Sequence, residues 1–299
     1  MMPRQLTRII SSSAVVFLIC IPGGFAKSYE RIVSLAPSVT EILFAIGADN
    51  RLVGVTTYCD FPAEAKQKPK VGGFTEHSLE AIAAQRPDLV MMVPNRGTKF
   101  TYEKLKQLGI ETSVVPLYSL DDLVRSYDVI GEKVGNAEQA RQLQTQLVET
   151  IDQARKESAA RQPRRVAFVN WHTPLIVPAP GTLEGDVIEL VGGENIVKNG
   201  SQHYPKLGVE FLFASDPDLI IDTSSHGEDV DREVFKKVVR EFWSKYKELR
   251  AVKSSDIYVF RRDVYSVPGP RTVRFIEAMN ALFDPATKPE NEYYERVQI

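Results

Sequence analysis

From Arg31 to Phe283 the chain alternates short apolar runs with longer amphipathic ones. Arg31 to Ala36 is a β-rich run closed by Pro37. Ser38 to Ile46 has helical spacing. Ser38 is its expected N-cap, Glu41 completes a capping-box pattern, and Gly47 ends it. Leu52 to Thr57 reads as a strand, Leu79 to Gln85 as a short helix, and Asp88 to Val93 as an apolar strand. Lys99 to Leu108 reads as a helix stopped at Gly109, and Thr112 to Val115 as a strand. Asp121 to Lys133 and Ala137 to Ala160 are helical, the second with Asn136 as its expected N-cap. At ~1.5 Å per residue that second helix runs about 36 Å, long enough to act as a strut between two lobes.

The pattern then repeats. Arg165 to Asn170 is a strand, Gly185 to Val191 a helix ended by Gly192-Gly193, and Leu219 to Thr223 a strand. Arg232 to Tyr246 is amphipathic, with Val234, Val238, Val239, Phe242 and Trp243 assigned to one stripe. That stripe makes Trp243 a core residue rather than a ligand contact. Ile257 to Phe260 and Val264 to Val267 read as strands, and Arg271 to Phe283 as the last helix. The charged tail from Asp284 is expected to be loosely held. Strands alternating with helices call for an α/β fold with parallel sheets covered on both faces.

Two segments 130 residues apart resemble each other. Ser78-Leu79-Glu80 to Pro87-Asp88-Leu89-Val90 and Gly208-Val209-Glu210 to Pro217-Asp218-Leu219-Ile220 match in their Glu, an Ala and the Pro-Asp-Leu. Phe74 and Tyr204 each precede the Glu by the same interval. Ile46 to Asn50 resembles Val191 to Asn195. A duplicated chain most simply folds as two similar α/β lobes, with a ligand in the cleft between them. The expected organisation is a lobe over 27–119, a helical linker over 120–162 containing the long bridging helix, a second lobe over 163–283, and a charged tail over 284–299.

The sequence is 299 residues long, enough for two ordinary domains. Its net charge of -2 argues against a nucleic-acid partner. Residues 1–26 read as a signal peptide: Arg4 and Arg8, the apolar run Ala14 to Ile21, then Gly24-Phe25-Ala26 as a cleavage site before Lys27. Export to the periplasm is therefore expected. Lipidation at Cys20 is the lesser alternative, because bulky Ile19 precedes it. Cleavage leaves Cys59 without an internal disulfide partner, as a packed small side chain.

Nucleophile elbows, metalloprotease motifs, phosphate loops and dinucleotide fingerprints are missing. With an export signal and two lobes, this favours a binding protein, not an enzyme, that works as a monomer without a cofactor or bound metal. Tyr58, Phe74, Trp171 and Tyr204 lie near strand ends or in matching loops, and Asp263 and Tyr265 lie before Pro268-Gly269-Pro270-Arg271. Ligands of open α/β sheets gather at carboxyl strand ends, and aromatic faces suit a bulky planar ligand. The competing reading has each aromatic capping its own lobe's core. His77, His172, His203 and His226 all fall in loops, where polar His is common. Convergence of several on a metal, or one as an axial ligand to a metallated macrocycle, is the sharper alternative. Glu80 and Glu210 each open a helix, where the dipole stabilises a carboxylate by ~0.3–1 kcal/mol. Their repetition also suits docking on a two-fold partner with basic sockets.

Arg31-Ile-Val-Ser-Leu-Ala-Pro-Ser-Val-Thr-Glu41-Ile, Tyr58-Cys-Asp-Phe-Pro62, Val71-Gly-Gly73, Pro87-Asp-Leu-Val90, Gly192-Gly-Glu-Asn195 and Pro268-Gly-Pro-Arg271 resemble the iron-complex/cobalamin periplasmic binding proteins of ABC importers. The likeness is nearest to the cobalamin-binding branch and covers roughly Arg31 to Phe283. It implies the class III fold, two α/β lobes joined by one long helix. It implies a corrinoid, cobalamin, held by Tyr58, Phe74, Trp171 and Tyr204, with Asp263 as the cleft acid. Glu80 and Glu210 would grip arginines of the permease dimer, which works with its ATPase subunits. Three features depart from that branch. Val267 stands where an Arg accompanies the Asp, no Trp follows the strand near Val93-Pro94, and the second lobe's disulfide cysteines are missing. Haem or a ferric siderophore is the alternative cargo, met by Tyr58, a cleft His, or Arg96 and Arg262. A metal-dependent hydrolase built on the histidines is the rival from another class.

Overall fold

A computed structural model describes residues 29–200, 202–224, 231–260, 267–284 and 291–299. The first lobe holds a four-stranded parallel sheet. Its strands are β1 (Ile32–Ser34), β2 (Leu52–Val55), β3 (Leu89–Met92) and β4 (Glu111–Val114), in the order β2-β1-β3-β4. Helices α1 (Pro37–Ala45), α2 (Leu79–Ala84) and α3 (Thr98–Gln107) connect them. Then α4 (Leu120–Val134) and α5 (Ala137–Ser158) run on as a helical pair.

The second lobe repeats the plan. It contains β5 (Arg164–Val169), β6 (Leu175–Ile176), α6 (Leu183–Leu190), β7 (Gly193–Asn195), β8 (Lys206–Leu207), α7 (Val209–Ser215) and β9 (Leu219–Asp222). It continues through α8 (Arg232–Trp243), α9 (Arg250–Lys253), β10 (Ile257–Phe260), α10 (Thr272–Phe283) and β11 (Tyr294–Arg296). Its sheet order is β11-β10-β9-β5-β7. Without β11 this is the order of the first sheet, strand for strand.

The repetition reaches single hydrogen bonds. Asp88 accepts from the amides of Glu30 (2.7 Å) and Arg31 (3.0 Å), tying the start of β1 to the start of β3. Asp218 accepts from the Arg165 amide at 2.9 Å and ties β5 to β9. Arg31 donates to the Gln85 carbonyl at the end of α2 (2.7 Å), and Arg165 donates to the Ser215 carbonyl at the end of α7 (2.7 Å). In both lobes the residue before the proline is left-handed, Arg86 at φ 46° and Asp216 at φ 41°. Such a conformation is costly for a side chain with a Cβ, and here the duplicated turn keeps it.

The strut expected of the long helix is present. Helix α5 packs on α4, on α10 and on α6, so it touches elements of both lobes. One apolar cluster runs from Ile32 and Leu89 through Leu123, Leu147 and Ala154 to Phe168, Phe275 and Met279. Burying each large aliphatic side chain contributes ~1.5–3 kcal/mol. Trp243 is buried in a separate second-lobe cluster with Val239 and Leu249, as the sequence predicts.

Four local expectations are corrected. Ser38 does not cap α1: Ala36 is the cap and Pro37 opens the helix, because proline needs no amide partner there. Glu41 is therefore no capping-box residue; it is buried and paired with Arg271. Asn136 occupies the N-cap of α5, but its side chain donates to the Ile46 carbonyl (2.8 Å) and accepts from Arg51. On α8 Val239 and Trp243 of the expected stripe are buried, together with Phe235, while Val234 and Val238 are exposed; a face at 3.6-residue spacing takes in 235, 239 and 243 and turns 234 and 238 outward. The tail is not all loose. β11 pairs antiparallel with β10, Tyr258 opposite Arg296 and Phe260 opposite Tyr294, and Tyr294 and Val297 are buried. Pairing with β10 and burial of Tyr294 and Val297 hold this part of the tail despite its charge. Val267 lies in a bend; the rest of the strand expected from Val264 falls outside the described residues.

Candidate functional site

Pro37 and Ser38 follow β1, Tyr58 follows β2, and Pro94 follows β3. A cavity of about 580 Å³ opens there, lined by Pro37, Ser38, Tyr58, Gly73, Phe74, Thr75 and Glu76 of the first lobe and by Val267 and Pro268 of the second. Its volume lies within the range of small-molecule sites.

The Phe74 loop is built to hold its shape. Gly72 has φ 117°, and a Cβ there would come within 2.7 Å of the Glu76 carbonyl and the Ser78 amide, so only glycine fits. The Gly73 amide donates to the Glu76 carbonyl at 2.8 Å. Asn95 Nδ2 donates to the Phe74 carbonyl at 2.9 Å. Gly97 lies so close to Thr75 that a Cβ would meet its carbonyl oxygen at 2.1 Å. The turn after β3 therefore braces the loop that carries Phe74.

Tyr58 and Phe74 share this cavity. Tyr58 is 56% exposed, and its hydroxyl takes no hydrogen bond among the described residues. Phe74 is partly buried against the core. Trp171 and Tyr204, expected to face the same cleft from the second lobe, are not among the residues lining this cavity. Trp171 is 39% exposed after β5, and its indole donates to the Thr173 carbonyl at 3.1 Å. Tyr204 is 41% exposed, and its hydroxyl donates to buried Glu184 at 3.0 Å. Although the residue is partly exposed, the hydroxyl is withdrawn from water against Glu184; that desolvation, and then the Glu184 charge, pushes the Tyr204 phenol well above its ordinary range. Burial also pushes the Glu184 carboxyl up. Asp263, Tyr265 and Arg262 lie outside the described residues.

The histidines among the described residues do not converge. His77 hydrogen-bonds with Thr101 Oγ1 (2.9 Å) and the Phe74 carbonyl (3.1 Å), and burial lowers its pKa. His172 meets buried Asp222 at 2.6 Å and stacks on Phe242 at 3.8 Å between ring centroids. His203 stacks on Tyr118 of the opposite lobe at 4.3 Å. His226 lies outside the described residues. Among the described residues no group of three or more His, Cys, Asp or Glu is placed to hold a metal ion. Cys59 is buried and unpaired, and burial pushes its thiol up. Arg96 is exposed beside the Phe74 loop.

Glu80 and Glu210 are exposed in the first turns of α2 and α7. Two pairs escaped sequence reasoning. Glu41 with Arg271, and Asp222 with His172, each join residues far apart in the chain. Glu41 and Arg271 both stood in motifs already singled out, which was the available signal.

Residues 32–264 match a family described as "Periplasmic binding protein". The Vitamin B12-binding protein of Vibrio cholerae serotype O1 is 28% identical over 282 residues, covering 94% of this chain and 99% of the relative. That of Yersinia pseudotuberculosis is 30% identical over 221 residues, covering 74% and 79%. The crystal structure of the periplasmic Vitamin B12 binding protein of Vibrio cholerae aligns with a TM-score of 0.74 at 26% identity, covering 85% of this chain and 96% of that one. A periplasmic heme binding protein from Pseudomonas aeruginosa aligns at 0.75 and 22% identity, covering 91% and 99%, and shares the fold.

Proposed function

On the premise that this chain belongs to the periplasmic binding protein family, we propose that it captures a corrinoid, cobalamin, between its lobes and delivers it to an ABC permease dimer. The observation that carries this reading is the cavity at the lobe junction, where Tyr58 and Phe74 face Val267 and Pro268. Two aromatic faces on one wall give a flat apolar contact for a macrocycle. The relatives named as Vitamin B12-binding proteins support the same cargo. Trp171 and Tyr204 extend the site on the second lobe, and Asp263 and Tyr265 complete it. Binding involves no covalent step, so the protein supplies shape and contacts alone.

Glu80 and Glu210 present one carboxylate from each lobe at equivalent positions. They dock the loaded protein on basic sockets of the permease. Residues 1–26 direct export, with cleavage near Ala26 in preference to lipidation at Cys20. The 27–119, 120–162 and 163–283 divisions serve as lobe, linker and lobe.

Haem is the second reading, favoured by one observation. The Tyr58 phenol stands in the cavity with its hydroxyl uncommitted among the described residues, as an iron ligand would. Titrating the purified protein with cyanocobalamin, haemin and a ferric siderophore separates these cargoes. Trp171 fluorescence should quench with cyanocobalamin and saturate at one equivalent, against a constant background from buried Trp243. No response to cyanocobalamin, together with a tight shift of the haem Soret band, would overturn the corrinoid.

A further inference from the structure

Beside the cavity runs a seam where the turn before α10 lies along α1 of the other lobe. Pro268 lines the cavity with Pro37 and Ser38. Gly269 follows, and a Cβ on it would stand 3.6 Å from Glu41 Oε2 and 3.9 Å from the Ser38 carbonyl. Its amide is held by Thr272 Oγ1 at 3.2 Å. Pro270 then shares a recess with Glu41, Phe44 and Phe61. Arg271 closes the seam. Its Nε donates to Glu41 Oε2 at 2.9 Å and its Nη2 to Glu41 Oε1 at 2.6 Å. The guanidinium also lies 4.4 Å from the centre of the Phe61 ring. Both side chains are withdrawn from water, Arg271 12% and Glu41 3% exposed.

We propose that Glu41 and Arg271 are positioning residues for ligand retention: their two-pronged ion pair holds the second lobe's cavity wall, Val267 and Pro268, in register with the first lobe's wall. This rests on the cavity being the ligand site. A forked pair fixes orientation as well as distance, which a single contact does not. Only Pro268, Gly269 and Pro270 separate Val267 from Arg271, so slack at the pair passes directly to the wall. Net stability is a poor account of such a pair, because removing two charges from water offsets most of their attraction. The bridging helix α5 supplies one connection between the lobes, and this seam supplies another beside the cavity. Loosening it should let the ligand out faster while leaving encounter nearly unchanged.

The test compares Arg271→Gln, Arg271→Lys, Glu41→Gln and the Glu41→Gln/Arg271→Gln double variant. Hydrogen–deuterium exchange of the unliganded protein reads the seam, and stopped-flow release of cyanocobalamin reads retention. In Arg271→Gln the peptide over 267–272 should exchange at least about ten-fold faster while β3 keeps its protection. Release should accelerate by about ten-fold with little change in the association rate. Arg271→Lys keeps the charge and folds, and should be intermediate. The double variant should be no worse than the worse single, since both singles break one contact. Unchanged exchange over 267–272 in folded variants would overturn the proposal. So would a loosened seam with unchanged release. If the unaltered protein binds neither cyanocobalamin nor haemin, the cargo reading fails separately, and exchange alone then decides whether Glu41 and Arg271 hold the wall.

Discussion

His172 and Asp222 meet at 2.6 Å inside the second lobe, two residues that the sequence left unconnected. Asp222 is fully buried and also accepts from the Trp243 indole at 2.6 Å and from Ser224 Oγ at 2.6 Å. Four groups thus meet under the loop that begins at Trp171. The imidazole is tied into this cluster by Asp222 and Ser224.

Asp222→Ala should be strongly destabilising, because it leaves the indole and the imidazole without an acceptor in the interior. Breaking a buried pair of this kind costs ~3–5 kcal/mol. The midpoint of urea unfolding is the measurement; Asp222→Asn, which keeps an acceptor, should lose less. Equal midpoints for Asp222→Ala and the unaltered protein would contradict the role assigned to Asp222.

Tyr58→Ala should weaken cyanocobalamin binding by about ten-fold, the equivalent of ~1.4 kcal/mol, while leaving the melting temperature in place. The separation follows from exposure: a side chain 56% open to solvent contributes little to folding. Phe74→Ala should weaken binding similarly and also lower the melting temperature, since Phe74 packs on the core. Isothermal titration and thermal denaturation of both variants check this.

Replacing Glu80 and Glu210 together with Ala should abolish uptake through the permease and spare ligand affinity. Both carboxylates are exposed at helix starts and lie outside the cavity lining. Uptake by whole cells, set beside titration of the purified double variant, is the measurement. Each single variant should retain part of the uptake, because one anchor survives.

The Asp218 carboxyl is held below its ordinary value. Burial alone would raise it, but the Arg165 amide, the Arg250 guanidinium and the charge of Arg165 together outweigh burial. A folded-state value below the unfolded one means the carboxylate adds stability above its ordinary titration range. That contribution fades as pH falls through the lowered folded value. Asp218→Asn should therefore flatten the loss of unfolding free energy between about pH 5 and about pH 2. Urea unfolding across that interval tests the sign; a steeper loss in the variant would reverse it.

Much of the fold was legible because apolar runs and glycine or proline stops are local signals. The Pro-Asp-Leu repeat marked Asp88 and Asp218, and both proved to anchor neighbouring strands. Tyr58 and Phe74 were legible as candidates because each follows or precedes an obvious element, and both line the cavity. Trp171 and Tyr204 were harder, because an aromatic near a strand end can face a partner in its own lobe; Tyr204 turns its hydroxyl to Glu184. Glu41 fits a capping box by its spacing from Ser38 alone, while the Arg271 that makes its burial tolerable lies 230 residues away. No window along the chain contains both.

β11, which has no counterpart in the first sheet, closes the β10 edge of the second. Until the residues around Tyr294 leave the ribosome, β10 keeps a row of backbone donors and acceptors without a neighbour. During that interval the nascent second half offers a template to any extended peptide nearby, a hazard for self-association. Holding factors that shield such edges would matter most for this half of the molecule, and only until its final segment arrives.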